Sequence, residues 1–379
     1  MKIEKFVDII GSDFYTGVPD SQLKSLCDYL MVRYKTDSKH HIIAANEGNC
    51  VAIASGYHLA TGKIPVVYMQ NSGEGNIINP LASLTSSEVY SIPMILVIGW
   101  RGEPGVHDEP QHVYQGKVTL KLLEDMDIEH YVVRPETSEQ DMELQMEKYR
   151  EILNTGKSVA FVICKNALEN DEKADYKNSY TLSRENVIRK IVQYTGKEPV
   201  ISTTGKISRE LFEIRKERGE EAADFLTVGS MGHASSIALG VALHKPDKKV
   251  WCIDGDGAML MHMGAAAVIG ANAPSNLVHI VLNNEAHETV GGMPTVGGKV
   301  NLTEVAKACG YGKAVCVDTV DALEKVLEEA KEAQKLYFIE VKCALGSRKD
   351  LGRPTKTPLE NKKSFVDNLF KGSNYETGE

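Results

Sequence analysis

The stretch Lys249-Val250-Trp251-Cys252-Ile253-Asp254-Gly255-Asp256-Gly257-Ala258-Met259-Leu260 decides the fold of this chain. Its first five residues read as a buried strand and Ala258 to Gly270 reads as a helix, so Gly255-Asp256-Gly257 is a strand-to-helix turn. Taken alone, a glycine-flanked aspartate after a strand is more often an ordinary turn. A second apolar run, Leu277 to Leu282, ends in Asn283-Asn284, with Asn284 28 positions after Asp256. Two adjacent parallel strands would deliver a carboxylate and a carboxamide oxygen to one sheet edge. Hard oxygen ligands there suit Mg²⁺, and a helix N-terminus suits a phosphate.

Outward from this stretch, the 379 residues suffice for two domains with separate cores. A formal net charge of −9 argues against a general nucleic-acid surface, so any cations that recognise an anion must be local. No basic-apolar leader opens the chain and no apolar run is long enough to span a bilayer, so no membrane association and a cytoplasmic location are expected. The seven cysteines are scattered and mostly sit in apolar runs. They read as reduced core residues, not as a disulfide frame or a zinc site.

Apolar runs at 41–45, 65–69, 93–98 and 158–164 alternate with helical patterns and predict a doubly wound parallel sheet. A polar stretch over 165–180 follows and reads as a linker. Ser183 is then a candidate N-cap for a helix with Val187, Ile188, Ile191 and Val192 on one stripe. Further strands are expected at 199–202, 249–253, 277–282 and 336–341, with a helix over 321–335. The chain thus reads as two α/β halves.

Gly255-Asp256-Gly257-Ala258, Leu282-Asn283-Asn284 and Gly291-Gly292 together resemble the cofactor motif of thiamine-diphosphate (ThDP) enzymes of the decarboxylase type. That resemblance implies an α/β fold of two doubly wound parallel-sheet domains, for the cofactor's pyrimidine and diphosphate, with no inserted middle domain. The expected division is 1–170 for the pyrimidine domain, 171–182 for the linker, 183–360 for the diphosphate domain and 361–379 for a tail. It implies ThDP and Mg²⁺ as cofactors and at least a homodimer, because relatives build the site between subunits.

The resemblance also assigns roles. Glu47 follows a strand and heads the helix pattern Asn49-Cys50-Val51-Ala52-Ile53-Ala54-Ser55-Gly56-Tyr57. In isolation it is equally a helix-dipole partner or a capping group; within the family pattern it is the carboxylate that promotes the imino tautomer of the cofactor. Met231, in Gly229-Ser230-Met231-Gly232-His233, would be the wedge under the bent cofactor, with the Gly229 carbonyl as an acceptor; by itself Met231 reads as core. Thr204 and Gly205 would meet the diphosphate, as would Gly255 and the Gly257 and Ala258 amides. The metal ligands would be Asp256, Asn284 and the Ala286 carbonyl.

Substrate selection is expected in the loops 17–21, 70–76 and 100–116, with His107 and His112 as proton-transfer candidates and Ser21, Asn71, Arg101 and Lys206 as substrate donors. Arg348 and Lys349 are further cations for an anionic head group. These loops resemble the family branch that decarboxylates the 2-keto acid 3-phosphonopyruvate to phosphonoacetaldehyde and CO₂. Sulfopyruvate is the alternative substrate, and a non-catalytic ThDP-binding protein is the alternative outside this chemistry.

Overall fold

A computed structural model describes residues 1–221 and 223–370. The chain divides into two compact units: Met1–Tyr176 with Thr289–Pro294, and Lys177–Glu288 with the residues from Thr295 on.

The first unit is built on a sheet of β1 (Tyr15–Gly17), β2 (His41–Ile43), β3 (Val66–Gln70), β4 (Ile95–Gly99), β5 (Glu129–Val133) and β6 (Val159–Ile163), in the order β2-β1-β3-β4-β6-β5. Every pair is parallel. The central strands β4 and β6 are buried throughout, as a sheet covered by helices on both faces requires. Each fully buried branched side chain there, such as Val97 or Ile163, contributes on the order of 1.5–3 kcal/mol.

The second unit repeats this topology. Its strands β7 (Val200–Ser202), β8 (Phe225–Leu226), β9 (Val250–Gly255) and β10 (Leu277–Asn283) are joined by Lys313–Val317 and Tyr337–Lys342. The spatial order is 313–317, 337–342, β10, β9, β7, β8. Numbered within each unit, both sheets run 2-1-3-4-6-5, so each reverses direction between its first and third strands. In open α/β sheets a ligand crevice opens at that reversal, beyond the strands' carboxyl ends.

Local signals explain the helices that follow these strands. Asn46 caps the helix Glu47–Thr61 by accepting from the Gly48 N–H at 2.8 Å, and the helix stops at Gly62 in the left-handed region. Ser183 caps the helix Arg184–Thr195, whose buried stripe contains Val187, Ile188, Ile191 and Val192.

Four strands of the two six-stranded sheets escape the sequence reading, β1, β5, β8 and 313–317, as does a small pair, Ala286–His287 with Met293–Pro294. The helix expected from Ala258 to Gly270 is two helices, Asp256–Met261 and Gly264–Asn272. The loop expected over 100–116 ends early, because Pro110 opens the helix Pro110–Asp125. Much of the 70–76 loop is also helical, since the helix Glu74–Pro80 begins inside it. Residues 361–370, expected in a tail, belong to the helix Pro358–Phe370, which buries Phe365 and Leu369; residues 371–379 lie outside the described residues.

The seven cysteines, all among the described residues, are unpaired; Cys316 is exposed and Cys309 half-buried. Among the described residues no helix is long and apolar enough to cross a membrane.

Candidate active site

Next to the reversal of the second sheet, which lies between β7 and β9, β9 and β10 pair in parallel with Gly255 opposite Leu282. Asp256 and Asn284 therefore leave neighbouring strand ends, as their sequence positions require. Asp256 heads its helix at 2% exposure. Burial pushes its carboxyl up to about 7, the Thr295 hydroxyl and the Gly257 N–H pull it down, and Glu285 adds charge of the same sign. One of its oxygens accepts from the Thr295 hydroxyl. A buried carboxylate with this surrounding calls for a cation.

Asn284 is held from both ends of its amide. Its Nδ2 donates to Glu288 at 2.7 Å, and its Oδ1 accepts from the N–H of the buried Ala286 at 3.2 Å. Glu288 also takes Arg184 and, at 3.0 Å, Lys206. These cations outweigh the burial that would otherwise raise it and hold its carboxyl below the usual range. Lys206, expected at the substrate, is thereby placed in the support of Asn284. Arg348 is likewise engaged, facing Glu185, Glu213 and Asp350, while Lys349 is exposed.

The remaining cofactor candidates gather around these turns. Thr204 Oγ1 accepts from the Gly229 N–H at 3.1 Å, joining the turns that follow β7 and β8. Gly229, Ser230 and Gly232 all have positive φ, and a Cβ on Gly232 would lie 2.9 Å from the Ala258 carbonyl oxygen. A Cβ on Gly257 would lie 3.3 Å from both Met231 Cε and the His287 ring. Met231 is half-buried, so part of it faces outward from the core. The carboxylate, amide, backbone turn and thioether thus suit a divalent cation with a diphosphate.

In the first unit the reversal lies between β1 and β3. Glu47 is 5% exposed and accepts from Asn76 Nδ2 at 2.7 Å. Burial pushes its carboxyl above the ordinary range despite the Asn76 amide. A Cβ on Gly73 would fall 2.6 Å from Glu47 Cγ, so the backbone after β3 packs on the glutamate's stem.

Asp20, after β1, accepts from Gln70 Nε2 at 2.5 Å and from the Gln22 N–H at 3.0 Å. Arg101 donates to both oxygens of Asp108, at 2.8 and 2.5 Å, and to Ser21 Oγ at 3.0 Å. Ser21 and Arg101 are therefore together, with the cation already facing a carboxylate. His112 is buried in the first turn of its helix, where desolvation and then Arg101 push its imidazole down to about 4 and leave it neutral near pH 7. His107 lies exposed before that helix. Asn71, expected as a substrate donor, is fully buried, and its amide donates to the Arg101 carbonyl and Thr119 and accepts from the Arg101 N–H.

Several residues were not singled out from sequence: Asp20, Asn76, Asp108, Thr295 and Glu288. All but Asp20 hold another candidate: Asn76 holds Glu47, Asp108 holds Arg101, Thr295 holds Asp256 and Glu288 holds Asn284. Glu74 belongs with them. It is 2% exposed, its Oε1 has no partner, and burial pushes its carboxyl up to about 8. Below its ordinary 4.5, folded and unfolded chains are both protonated; between 4.5 and about 8 only the unfolded chain ionises. Stability then falls as pH rises, by about 1.4 kcal/mol per pH unit. Thermal unfolding of Glu74→Gln should show a gain over the wild type that is absent below about pH 4.5 and grows toward about pH 8. A gain independent of pH would mean that Glu74 is ionised in the fold.

Comparison with known proteins adds a second line of observation. Residues 5–128 match the thiamine pyrophosphate enzyme N-terminal TPP binding domain, and residues 203–341 match the corresponding C-terminal TPP binding domain. The chain is 33% identical to phosphonopyruvate decarboxylase of Streptomyces viridochromogenes, over 94% of this chain and 91% of that one. Phosphonopyruvate decarboxylase of Streptomyces hygroscopicus is also 33% identical, over 94% and 90%. Sulfopyruvate decarboxylase of Methanosarcina acetivorans is 27% identical over 97% of both chains.

Proposed function

Because the chain belongs to the thiamine pyrophosphate (thiamine diphosphate) enzyme family, we propose that it decarboxylates 3-phosphonopyruvate to phosphonoacetaldehyde and CO₂, with Mg²⁺ anchoring the cofactor. The observation that carries the substrate assignment is the likeness to phosphonopyruvate decarboxylases through both units. The cofactor site is supported by Asp256, a buried carboxylate at a strand end neighbouring that of Asn284, raised chiefly by desolvation.

Bound ThDP supplies an electron sink for the carbon–carbon bond that breaks. The residues of the chain bind and orient. Asp256, Asn284 and the Ala286 carbonyl would hold Mg²⁺, while Thr204, Gly205 and the Gly255–Ala258 turn would hold the diphosphate. Met231 would support the bend of the cofactor. Glu47 would keep a proton at its aminopyrimidine, a role favoured by a carboxyl raised through burial.

His112 is neutral and can give or take a proton at the substrate end; exposed His107 is the lesser candidate. The Ser21 and Arg101 pair offers donors to a dianionic head group, with Asp108 fixing the guanidinium. We also place two or more copies of the chain in the active assembly, each contributing one unit to a shared site.

The test is kcat/KM for phosphonopyruvate, sulfopyruvate and pyruvate with ThDP and Mg²⁺ present. Phosphonopyruvate should lead. Sulfopyruvate is the second reading, favoured by the relative of that specificity matching 97% of the chain; its lead by about tenfold, or 1.4 kcal/mol, would transfer the assignment. No CO₂ from any of the three would leave a ThDP-binding protein without this activity.

A further inference from the structure

The second sheet carries a polar cluster that the proposed chemistry does not use. Strand alternation puts Cys252 and Asp254 on one face of β9, and parallel pairing sets His279 of β10 beside Cys252. All three are essentially inaccessible, at 0%, 0% and 1% exposure. The cysteine sulfur, a carboxylate oxygen and an imidazole nitrogen lie within 4.8 Å of one another.

Two of these atoms are unpartnered. Asp254 Oδ2 and His279 Nε2 are buried with no hydrogen bond. They stand 3.6 Å apart, too far for a direct hydrogen bond. Two ligands bound to zinc at their usual lengths with tetrahedral angles stand about 3.3 Å apart. The observed separation is therefore close to that of two ligands on one ion. The opposite nitrogen, His279 Nδ1, is 3.1 Å from the Tyr311 hydroxyl, and the ring packs edge-on against Phe338. A partner on the far nitrogen fixes the ring and its tautomer, as is usual for a metal-bound histidine.

We propose that Cys252 Sγ, Asp254 Oδ2 and His279 Nε2 form a buried zinc site in the second unit. The mixed sulfur, nitrogen and oxygen set selects zinc over Mg²⁺ or Ca²⁺, which take oxygen ligands. Binding releases the thiol proton to solvent and forms the zinc–thiolate bond, with no change of oxidation state. Three protein donors leave a fourth position for a water molecule. Burial at this depth makes the ion one acquired during folding. Its position on β9 and β10 braces the strands that end at Asp256 and Asn284.

The experiment is the metal content of the full-length protein, purified with ThDP and Mg²⁺ and then dialysed against EDTA. Mass spectrometry should find about one zinc per chain, released only on unfolding. Cys252→Ser and His279→Asn should each reduce it below about a tenth of that. A wild type without zinc, even after growth with added zinc, or variants that keep it, would overturn the site. Should the variants not fold, cobalt replaces zinc in the wild type during expression. A sulfur-to-cobalt charge-transfer band supports Cys252 as a ligand, and bound cobalt without that band refutes it.

Discussion

Glu47→Gln is expected to lower kcat by about 10³-fold while leaving ThDP and Mg²⁺ affinity within a few-fold of the wild type. The amide has the volume and shape of the carboxyl, and by turning over it can still accept from Asn76 Nδ2. What it loses is a proton that can be shared with a ring nitrogen. Because burial disfavours the ionised carboxyl at this 5% exposed position, the neutral amide should not weaken the fold. Single-turnover CO₂ release measures the first quantity and calorimetric titration of the cofactor the second. A variant keeping about a tenth of wild-type kcat would remove Glu47 from the chemistry.

Asp256→Asn is expected to act on the other half of the function, weakening Mg²⁺-dependent ThDP binding by about 10²-fold or more. The substitution keeps an oxygen that can accept from the Thr295 hydroxyl and removes the charge that balances the cation. Fluorescence titration of ThDP over a range of Mg²⁺ concentrations reads the effect, and unchanged affinity would place the metal elsewhere. The two variants together also test the assembly. If each site takes Glu47 from one chain and Asp256 from another, dissociating and reassociating an equal mixture of the two inactive proteins restores about a quarter of wild-type activity in a dimer. Sites complete within one chain would restore none.

How much of this was legible in the sequence follows from where each signal resides. The turn Gly255-Asp256-Gly257 and the pair Asn283-Asn284 could be read because long apolar runs, β9 and β10, lead directly into them. Ser183 and the stripe behind it were legible because a cap and a helical period are both local. The strands that escaped lack such a signal: β1 has three residues and β8 two, while β5 is an edge strand carrying Glu129, His130 and Tyr131 with only Val133 buried. Asn71, Arg101 and Lys206 looked alike as polar residues in loops. Their partners separated them: Asn71 is consumed by the Arg101 backbone and Thr119, Arg101 faces Asp108, and Lys206 faces Glu288.

The sequence by itself determined two parallel α/β halves, the carboxylate and amide at the second sheet's edge, and Glu47 at the head of a helix in the first. Only the tertiary structure decided which charges are already paired, that Glu74 is buried with an unpartnered oxygen, and that Cys252, Asp254 and His279 meet. The seven cysteines show no metal-binding spacing along the chain, because two of these three donors come from alternate positions of one strand and the third from the strand beside it. Periodicity and capping depend on neighbours within a few residues and survive in a linear string. Ion pairing, desolvation and metal geometry depend on distances between strands, which are set only when the sheet is assembled.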